Sequence, residues 1–175
     1  MYKRQVLVSS ANPSVYGVAV TFTATTNAAA TGTMLFYDGG LVLGPGTITG
    51  GVATYTLNNL GAGTHSITAG YAGDSNYLAA VSAAVSQVVT RAPVAMSITS
   101  SLNPSNFGQS VTFTFTVTGV AGLTTPTGSI AFTDGGTLLA SPTLNSLGVA
   151  TYTTVTLSGG SHSLAAVYGG DANYQ

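Results

Sequence analysis

Hydrophobic and polar residues alternate with a period of two along most of the chain. In Val18–Thr25 the apolar side chains occupy every second position, with threonine at most positions between them, and Val111–Thr118 repeats the pattern. A strand that buries one face and exposes the other produces this alternation. The same spacing predicts further inward-facing positions at Met34, Phe36, Ile130 and Phe132, then at His65, Ile67, Ala69 and Tyr71, and again at His162, Leu164, Ala166 and Tyr168. No segment has a sustained helical period, so the pattern predicts an all-β protein.

The chain contains an internal repeat. Asn12-Pro13-Ser14 returns 91 positions later as Asn103-Pro104-Ser105, whereas later motifs return at an offset of 96 or 97. The pairs at the larger offsets are Asp38 with Asp134, His65 with His162, Tyr71 with Tyr168, Asp74 with Asp171, and Tyr77 with Tyr174. The offset grows at Thr26–Thr31 against Gly119–Thr127, and in the turn before Gly51 and Gly148. Because insertions collect in loops, the pattern indicates a tandem duplication of one folding unit.

The repeat sets the predicted domain boundaries. Residues 5–90 form the first domain, residues 91–94 a short linker stiffened by Pro93, and residues 95–175 the second domain. Six or seven short strands in roughly 85 residues, separated by Gly, Pro and Asn turns, predict an antiparallel β-sandwich with Greek-key connections. The second domain has no counterpart of Leu78–Thr90. We therefore expect it to lack its last strand and to expose a sheet edge.

The motifs of each copy resemble the bacterial Ig-like domain repeat family of the group 3 type. They are Asn-Pro-Ser, Val-Thr-Phe-Thr, Asp-Gly-Gly, Gly-Val-Ala-Thr, a His-Ser pair, and Gly-Asp followed by Asn-Tyr. The resemblance implies two tandem immunoglobulin-like sandwich domains, as found in large secreted or surface-attached bacterial proteins, where they serve as stalk, adhesin or linker modules. The chain has no Cys and no Trp, so the Cys…Trp…Cys core of antibody domains is absent. Nothing about antigen-binding loops follows from the resemblance.

Composition excludes several classes of partner. The chain has 3 basic and 4 acidic residues among 175 and a net charge of −1, which gives no electrostatic basis for binding nucleic acid or an anionic membrane surface. No run approaches the roughly 20 apolar residues of a spanning helix, so we expect no membrane insertion. The basic start, Met1–Gln5, precedes only three apolar residues, too few for a secretory signal, and has no counterpart in the second copy. We expect that it is not the native N-terminus.

The one histidine in each copy is the first candidate for chemistry. A catalytic base needs an orienting acid and a nucleophile within reach. Asp74 is nine residues from His65 and is expected near the far end of the same strand, roughly 30 Å away at about 3.3 Å per residue. We therefore expect His65 and His162 to be structural, with their rings against the preceding loops Leu60–Gly63 and Leu157–Gly160 and bonded to backbone groups there.

The aspartates and tyrosines also repeat. Asp38 lies in an Asp-Gly-Gly hairpin turn and Asp74 beside Ser75 and Asn76, so turn stabilisation is expected, with weak Ca²⁺ binding as the alternative. The structural motif of each copy comprises His65, Tyr71, Asp74 and Tyr77, repeated as His162, Tyr168, Asp171 and Tyr174. For Tyr77 and Tyr174 a packing role is expected and glycan contact is the alternative. Tyr37, which Thr133 replaces in the second copy, is the better candidate for an exposed contact.

The sequence predicts a non-enzymatic spacer module, without cofactor, metal or catalytic residue, in a larger extracellular or cell-surface bacterial protein. Its expected partners are neighbouring Ig-like repeats of the same protein, with a surface protein or glycan as a further ligand. Two alternatives stay open. One is an adhesin or carbohydrate-binding module, which would use a sheet edge or the loops at one end. The other is an accessory domain of an extracellular hydrolase.

Overall fold

A computed structural model describes residues 5–175, and the basic Met1–Arg4 lies outside the described residues. The chain divides into two compact units, unit 1 ending at Thr90 and unit 2 beginning at Arg91. All regular elements of the described residues are strands, fifteen in number, so the predicted all-β class is confirmed. Residues 5–175 contain no helix long and apolar enough to cross a membrane.

Unit 1 is a sandwich of two sheets. Its strands are β1 (Val6–Ser9), β2 (Ser14–Val15), β3 (Val20–Thr25), β4 (Thr33–Asp38), β5 (Leu41–Thr47), β6 (Val52–Leu57), β7 (Gly63–Tyr71), β8 (Ala80–Val81) and β9 (Val85–Thr90). One sheet has the order β1-β3-β6, and the other has the order β2-β9-β7-β4-β5, with β8 paired to β7. The pairs are antiparallel except β2–β9, which is parallel. The chain crosses between the sheets after β1, β2, β3, β5 and β6, which is the predicted Greek-key sandwich.

Alternation places the core of unit 1 between its sheets. Phe22 of β3 and Met34 and Phe36 of β4 are fully buried, and threonines of β3 face outward. The predicted Asp-Gly-Gly turn joins β4 to β5, and Gly39 and Gly40 both have positive φ, as a tight two-residue hairpin requires. The prediction that Val18 is an inward-facing strand residue is wrong. β3 begins at Val20, and Val18 is 55% exposed in the preceding turn.

Unit 2 repeats this core with fewer strands. Its strands are β10 (Ala95–Ser100), β11 (Val111–Thr118), β12 (Ile130–Asp134), β13 (Thr137–Ala140), β14 (Val149–Thr154) and β15 (Leu164–Tyr168). They form two sheets, of order β10-β11-β14 and β13-β12-β15. Phe132 lies at the centre, with its ring centroid 4.9 Å from that of Phe113, 5.0 Å from that of Phe115 and 5.9 Å from that of Tyr152.

The difference between the units is larger than the one strand predicted. Among the described residues, unit 2 has no counterpart of β2, β8 or β9. The sequence of β2 is present as Ser105-Asn106, but it forms no strand. In unit 1, β2 pairs with β9, so strand geometry at this position depends on that partner.

The stretch predicted as a linker, residues 91–94, contributes to unit 2. Ala92 is 1% exposed, its N–H donates to the Asn173 carbonyl at 2.8 Å, and its carbonyl accepts from the Gln175 N–H at 2.9 Å. Ala92 and Tyr174 thus form a parallel bridge inside unit 2. The backbone at the start of unit 2 is fixed by its last residues.

Candidate functional site

Each unit contains a histidine held between an aspartate and a backbone carbonyl, which we call the His–Asp clamp. In unit 1, His65 of β7 lies with Nδ1 2.6 Å from Asp38 Oδ2 and Nε2 2.8 Å from the Gly61 carbonyl oxygen. In unit 2, His162 Nδ1 lies 2.5 Å from Asp134 Oδ2, and Nε2 lies 2.9 Å from the Ser158 carbonyl oxygen. The clamp ties the β4–β5 turn to the loop before β7.

Register brings the clamp residues together. β4 pairs with β7 so that Asp38 faces Ile67, two residues beyond His65. Asp38 also accepts the Ser66 N–H at 3.2 Å, which orients its carboxylate toward the histidine. The predicted contact of His65 with the Leu60–Gly63 loop is observed at Gly61. The acid beside His65, however, is Asp38 and not Asp74, the acid whose distance the sequence interpretation rested on.

The clamp geometry assigns a proton to both ring nitrogens. A carboxylate and a carbonyl only accept hydrogen bonds, so each nitrogen must donate, and the ring is then an imidazolium. Burial disfavours the charged ring of His65, but its hydrogen bonds to Gly61 and Asp38 outweigh burial and raise its pKa. The Ser158 carbonyl, followed by Asp134, raises the pKa of His162 against a smaller opposing effect of burial. A ring in this state has no lone pair for a metal or for proton abstraction.

The clamps predict a loss of stability as the pH rises. Because the pKa of each histidine is higher in the folded state, its protonated ring stabilises the fold fully at a pH below the unfolded-state pKa of about 6.5. This stabilisation is lost as the pH rises through the folded-state pKa. We expect the melting temperature of the whole chain to fall over that range. Replacement of both histidines by glutamine, His65→Gln with His162→Gln, is expected to flatten this part of the profile. The chain has only two histidines and no cysteine, so few other groups titrate there.

Thermal melts at closely spaced pH values would measure this effect. The single variant Asp38→Asn serves as the matched control, because it leaves the unit 2 clamp intact and should remove about half of the pH dependence. An unchanged slope in the double histidine variant would contradict the assignment.

A second cluster closes the loop after β7, and we call it the Asp turn. Asp74 Oδ1 accepts the N–H groups of Asn76 and Tyr77, both at 2.8 Å. Its Oδ2 accepts the Thr31 N–H at 3.0 Å and the Thr31 hydroxyl at 3.2 Å. Asp171 makes the same set of bonds in unit 2, to Thr127, Asn173 and Tyr174. In unit 1 the Asp74 carboxylate therefore holds its own turn and also the loop between β3 and β4. In unit 2 the Asp171 carboxylate holds its own turn and the loop between β11 and β12.

These hydrogen bonds stabilise the ionised aspartates. The Thr31 N–H, followed by that of Asn76, holds the pKa of Asp74 well below its usual range. Burial opposes ionisation of Asp171, but its bonds to Thr127, Asn173 and Tyr174 together outweigh burial and lower its pKa. Burial and the neighbouring Asp171 raise the pKa of Tyr168 to about 12. The Tyr168 hydroxyl donates to the Thr127 carbonyl at 2.6 Å.

Removal of the Asp74 carboxylate should weaken unit 1 at neutral pH. Because the pKa of Asp74 is lower in the folded state, its carboxylate stabilises unit 1 fully at a pH above the unfolded-state pKa of about 3.9. This stabilisation is lost as the pH falls through the folded-state pKa. Asp74→Ala is therefore expected to melt several degrees below the wild type at pH 7, with a smaller gap at pH 2. Thermal melts at pH 7 and pH 2 measure both effects. Ser75→Ala, at the exposed next position, is the control, and equal melting of the two variants at pH 7 would contradict this role.

The paired tyrosines Tyr77 and Tyr174 differ in their environment. Tyr77 is half-buried, whereas Tyr174 is fully buried, with its hydroxyl donating to the Thr124 carbonyl at 2.7 Å. The longer loop Gly119–Thr127 makes the difference, because its Gly119 lies directly against the Tyr174 ring. Tyr71 is buried like Ile67 and Ala69 on the same face of β7, and its hydroxyl donates to the Thr31 carbonyl at 3.1 Å.

The remaining candidates are Tyr37 and the four aspartates. Tyr37 is half-buried, with its ring beside Gly70 of the neighbouring strand. Within residues 5–175 no three His, Asp or Glu side chains are grouped closely enough to hold a metal ion. The four aspartates are divided between the clamps and the Asp turns. The clamps and the Asp turns form hydrogen bonds between neighbouring segments of the same sandwich.

Comparison with known proteins identifies the class. The bacterial Ig-like domain (group 3) family matches twice, at residues 7–90 and 98–175, so the chain belongs to this family and contains two of its domains. A solved structure of the fibronectin(III)-like modules of Clostridium thermocellum CbhA is similar over 97% of this chain and 87% of that chain, with 14% sequence identity and a TM-score of 0.41. No curated protein matches the chain.

Proposed function

We propose that the chain is a non-enzymatic spacer, formed by tandem Ig-like repeats of a larger extracellular or cell-surface bacterial protein. The observation that carries the proposal is that the His–Asp clamp and the Asp turn occur in both units with the same partners. A protein needs an active site only once, whereas hydrogen bonds that stabilise a repeated domain are needed in every copy of that domain. Membership in the bacterial Ig-like family supports the same function.

The polar clusters suit a module that must keep its length under load. Pulling on a sandwich separates strands and the loops that join them. The clamp joins the β4–β5 turn to β7, and the Asp turn joins the loop after β7 to Thr31 before β4. Each cluster uses an ionised side chain with several hydrogen bonds, and charge-assisted bonds are the stronger class. The net charge of −1 leaves little electrostatic attraction to unrelated surfaces.

Force spectroscopy on the whole chain, placed between two marker domains, tests the spacer function. We expect two separate unfolding events, each releasing a segment of roughly 85 residues, whose fully extended length is about 28 nm less the length of the folded unit. The variant with both histidines replaced by glutamine should unfold at lower force with the same two lengths. A smooth extension without discrete events would contradict the proposal. Glycan-induced chemical shifts at Tyr37 or Tyr77 would instead favour an adhesin.

A further inference from the structure

The outer side of the larger sheet of unit 1 has an apolar row that crosses four strands. Register places Val81 of β8 beside Gly70 of β7, Gly70 beside Leu35 of β4, and Leu35 beside Pro45 of β5. Val81 is 70% exposed, and Leu35 and Pro45 are exposed as well. The row therefore offers apolar surface to solvent on the side of the sheet that faces away from the core.

A tyrosine ring extends this row. Tyr37, the next outward-facing residue of β4, lies between Thr68 of β7 and Val42 of β5, and Val42 is 61% exposed. The Tyr37 ring leans over β7, because a Cβ atom at position 70 would lie only 3.1 Å from a ring carbon. A glycine within a strand often marks such a close approach. Gly70 thus gives the ring room to lie along the sheet, and a larger residue there would displace it.

We call this surface the tyrosine face. It comprises Leu35, Tyr37, Val42, Pro45, Gly70 and Val81.

Unit 2 has neither the tyrosine nor the glycine of this face. Thr133 stands at the position of Tyr37, and Val167 stands at the position of Gly70. The two residues are thus exchanged together, as expected if the glycine makes room for the ring. Unit 2 folds into the same kind of sandwich without the pair. The pair in unit 1 therefore needs an explanation other than the fold.

The tyrosine face suits a neutral ligand that combines apolar surface with hydroxyl groups. Among the described residues of unit 1, the charged side chains are Asp38 and Asp74, and both are bound in the clamp and the Asp turn. Hydroxyl groups surround the apolar side chains, at Thr33 and Thr47 on one side and at Thr68 on the other. Tyrosine itself has an apolar body with a polar tip. A sugar ring has the matching chemistry, since its C–H groups form apolar faces and its hydroxyl groups lie at the edge.

The size of the tyrosine face favours a chain of sugar rings over a protein partner. Its four strands lie about 4.8 Å apart and its two rows about 7 Å apart, which limits the face to a few hundred Å². A stable protein–protein interface covers about 800 Å² on each partner. The long dimension of the face, about 15 Å across four strands, fits a short extended oligosaccharide.

We propose that the tyrosine face is a glycan-binding site, at which the Tyr37 ring stacks on a sugar ring of a neutral, β-1,4-linked chain. Such a chain is an extended ribbon, which suits an open face, and its neighbouring rings would cover Leu35 and Val81. This function goes beyond the spacer function and does not depend on it. The spacer function concerns the response of both units to force, whereas the glycan would bind to unit 1.

The experiment titrates the full chain with cellohexaose and follows the binding by NMR. We expect shifts at Leu35, Tyr37, Gly70 and Val81, with the signals of unit 2 unchanged. Tyr37→Thr, which introduces the residue of unit 2, should weaken binding at least about tenfold, because it removes the stacked ring. Tyr37→Phe keeps the ring and should bind within about twofold of the wild type.

Two further variants separate the position of the ring from its presence. Gly70→Val keeps Tyr37 but fills the space under its ring, and it should weaken binding about as much as Tyr37→Thr. Val8→Ser is the control and should leave binding unchanged, since Val8 is 51% exposed on the other sheet. The dispersed NMR signals of unit 1 show whether each variant is folded.

Four results would each overturn the proposal. They are no shifts with cellohexaose, shifts centred outside the tyrosine face, equal binding by Tyr37→Thr, and equal binding of maltohexaose, whose α-linked chain is curved. Shifts of the tyrosine face that depend on protein concentration without any sugar would also overturn it, because a second copy would then cover the face. None of these results changes the unfolding events under force, so the spacer function is decided separately.

Discussion

Replacement of Gln87 by alanine is expected to destabilise unit 1 by about 2–4 kcal/mol, because it removes the centre of a buried hydrogen-bond network. Gln87 is fully buried in β9. Its Nε2 donates to the Ala11 carbonyl at 2.9 Å and to the Ser14 hydroxyl at 3.1 Å, and its Oε1 accepts the Ser9 hydroxyl at 2.6 Å. The network joins β9 to the segment that crosses from β1 to β2. Alanine would remove all three bonds, and Ser14, which is itself buried, would lose this partner.

Chemical denaturation monitored by hydrogen exchange in unit 1 measures the loss. Ser86→Ala is the matched control, since Ser86 precedes Gln87, points outward and should change the free energy of unfolding by less than about 0.5 kcal/mol. Gln87→Leu separates the two causes, because it restores the volume but not the hydrogen bonds. If Gln87→Leu were as stable as the wild type, packing alone would hold β9 and the network would be unimportant.

Gln87 also shows where sequence patterns stop being informative. The alternation of threonine with apolar residues is a local property, and it predicted the strands β3 and β11 and the buried residues Phe22, Phe113 and Phe115. A glutamine within a strand looks outward-facing by the same criterion. Its burial depends on partners 73 to 78 positions away in the chain. Only the folded arrangement brings these groups together.

For the same reason, only one of the two contacts of His65 in the clamp could be predicted from the sequence. The contact between His65 and the Gly61 carbonyl spans four residues and was expected from the sequence. The contact with Asp38 spans 27 residues and depends on the register of β4 against β7. A signal was present, because Asp38 and His65 both recur in the second copy at nearly the same offset. Joint recurrence does not by itself say which repeated residues touch.

The pair Tyr77 and Tyr174 shows how an insertion changes the role of a repeated residue. Both tyrosines follow the same Gly-Asp-x-Asn motif and have their N–H bound by the preceding aspartate. The loop Gly119–Thr127, longer than its counterpart in unit 1, covers Tyr174 but has no equivalent over Tyr77. Loop length is visible in the sequence, but its path over a side chain is not.

Replacement of Phe132 by alanine is expected to unfold unit 2 while unit 1 stays native. Phe132 is fully buried and contacts the rings of Phe113, Phe115 and Tyr152. Truncation of such a residue costs about 3–5 kcal/mol, because the transfer energy is lost and the surrounding rings cannot close the cavity. A small domain is stabilised by only about 5–15 kcal/mol in total. Unit 2 starts from the lower part of that range, since Phe107 and Leu164 are less buried than their counterparts in unit 1.

Two-dimensional NMR of the full chain distinguishes the units. In Phe132→Ala we expect the dispersed signals of unit 2 to collapse while those of unit 1 keep their positions. The matched variant Phe36→Ala alters the equivalent buried ring of unit 1 and should have the reverse effect. Val167→Ala, at a 62% exposed position of β15, controls for substitution in unit 2 and should leave both sets of signals in place. Loss of both sets of signals in Phe132→Ala would show that the units fold as one cooperative body, and a spacer made of independent modules would then be the wrong description.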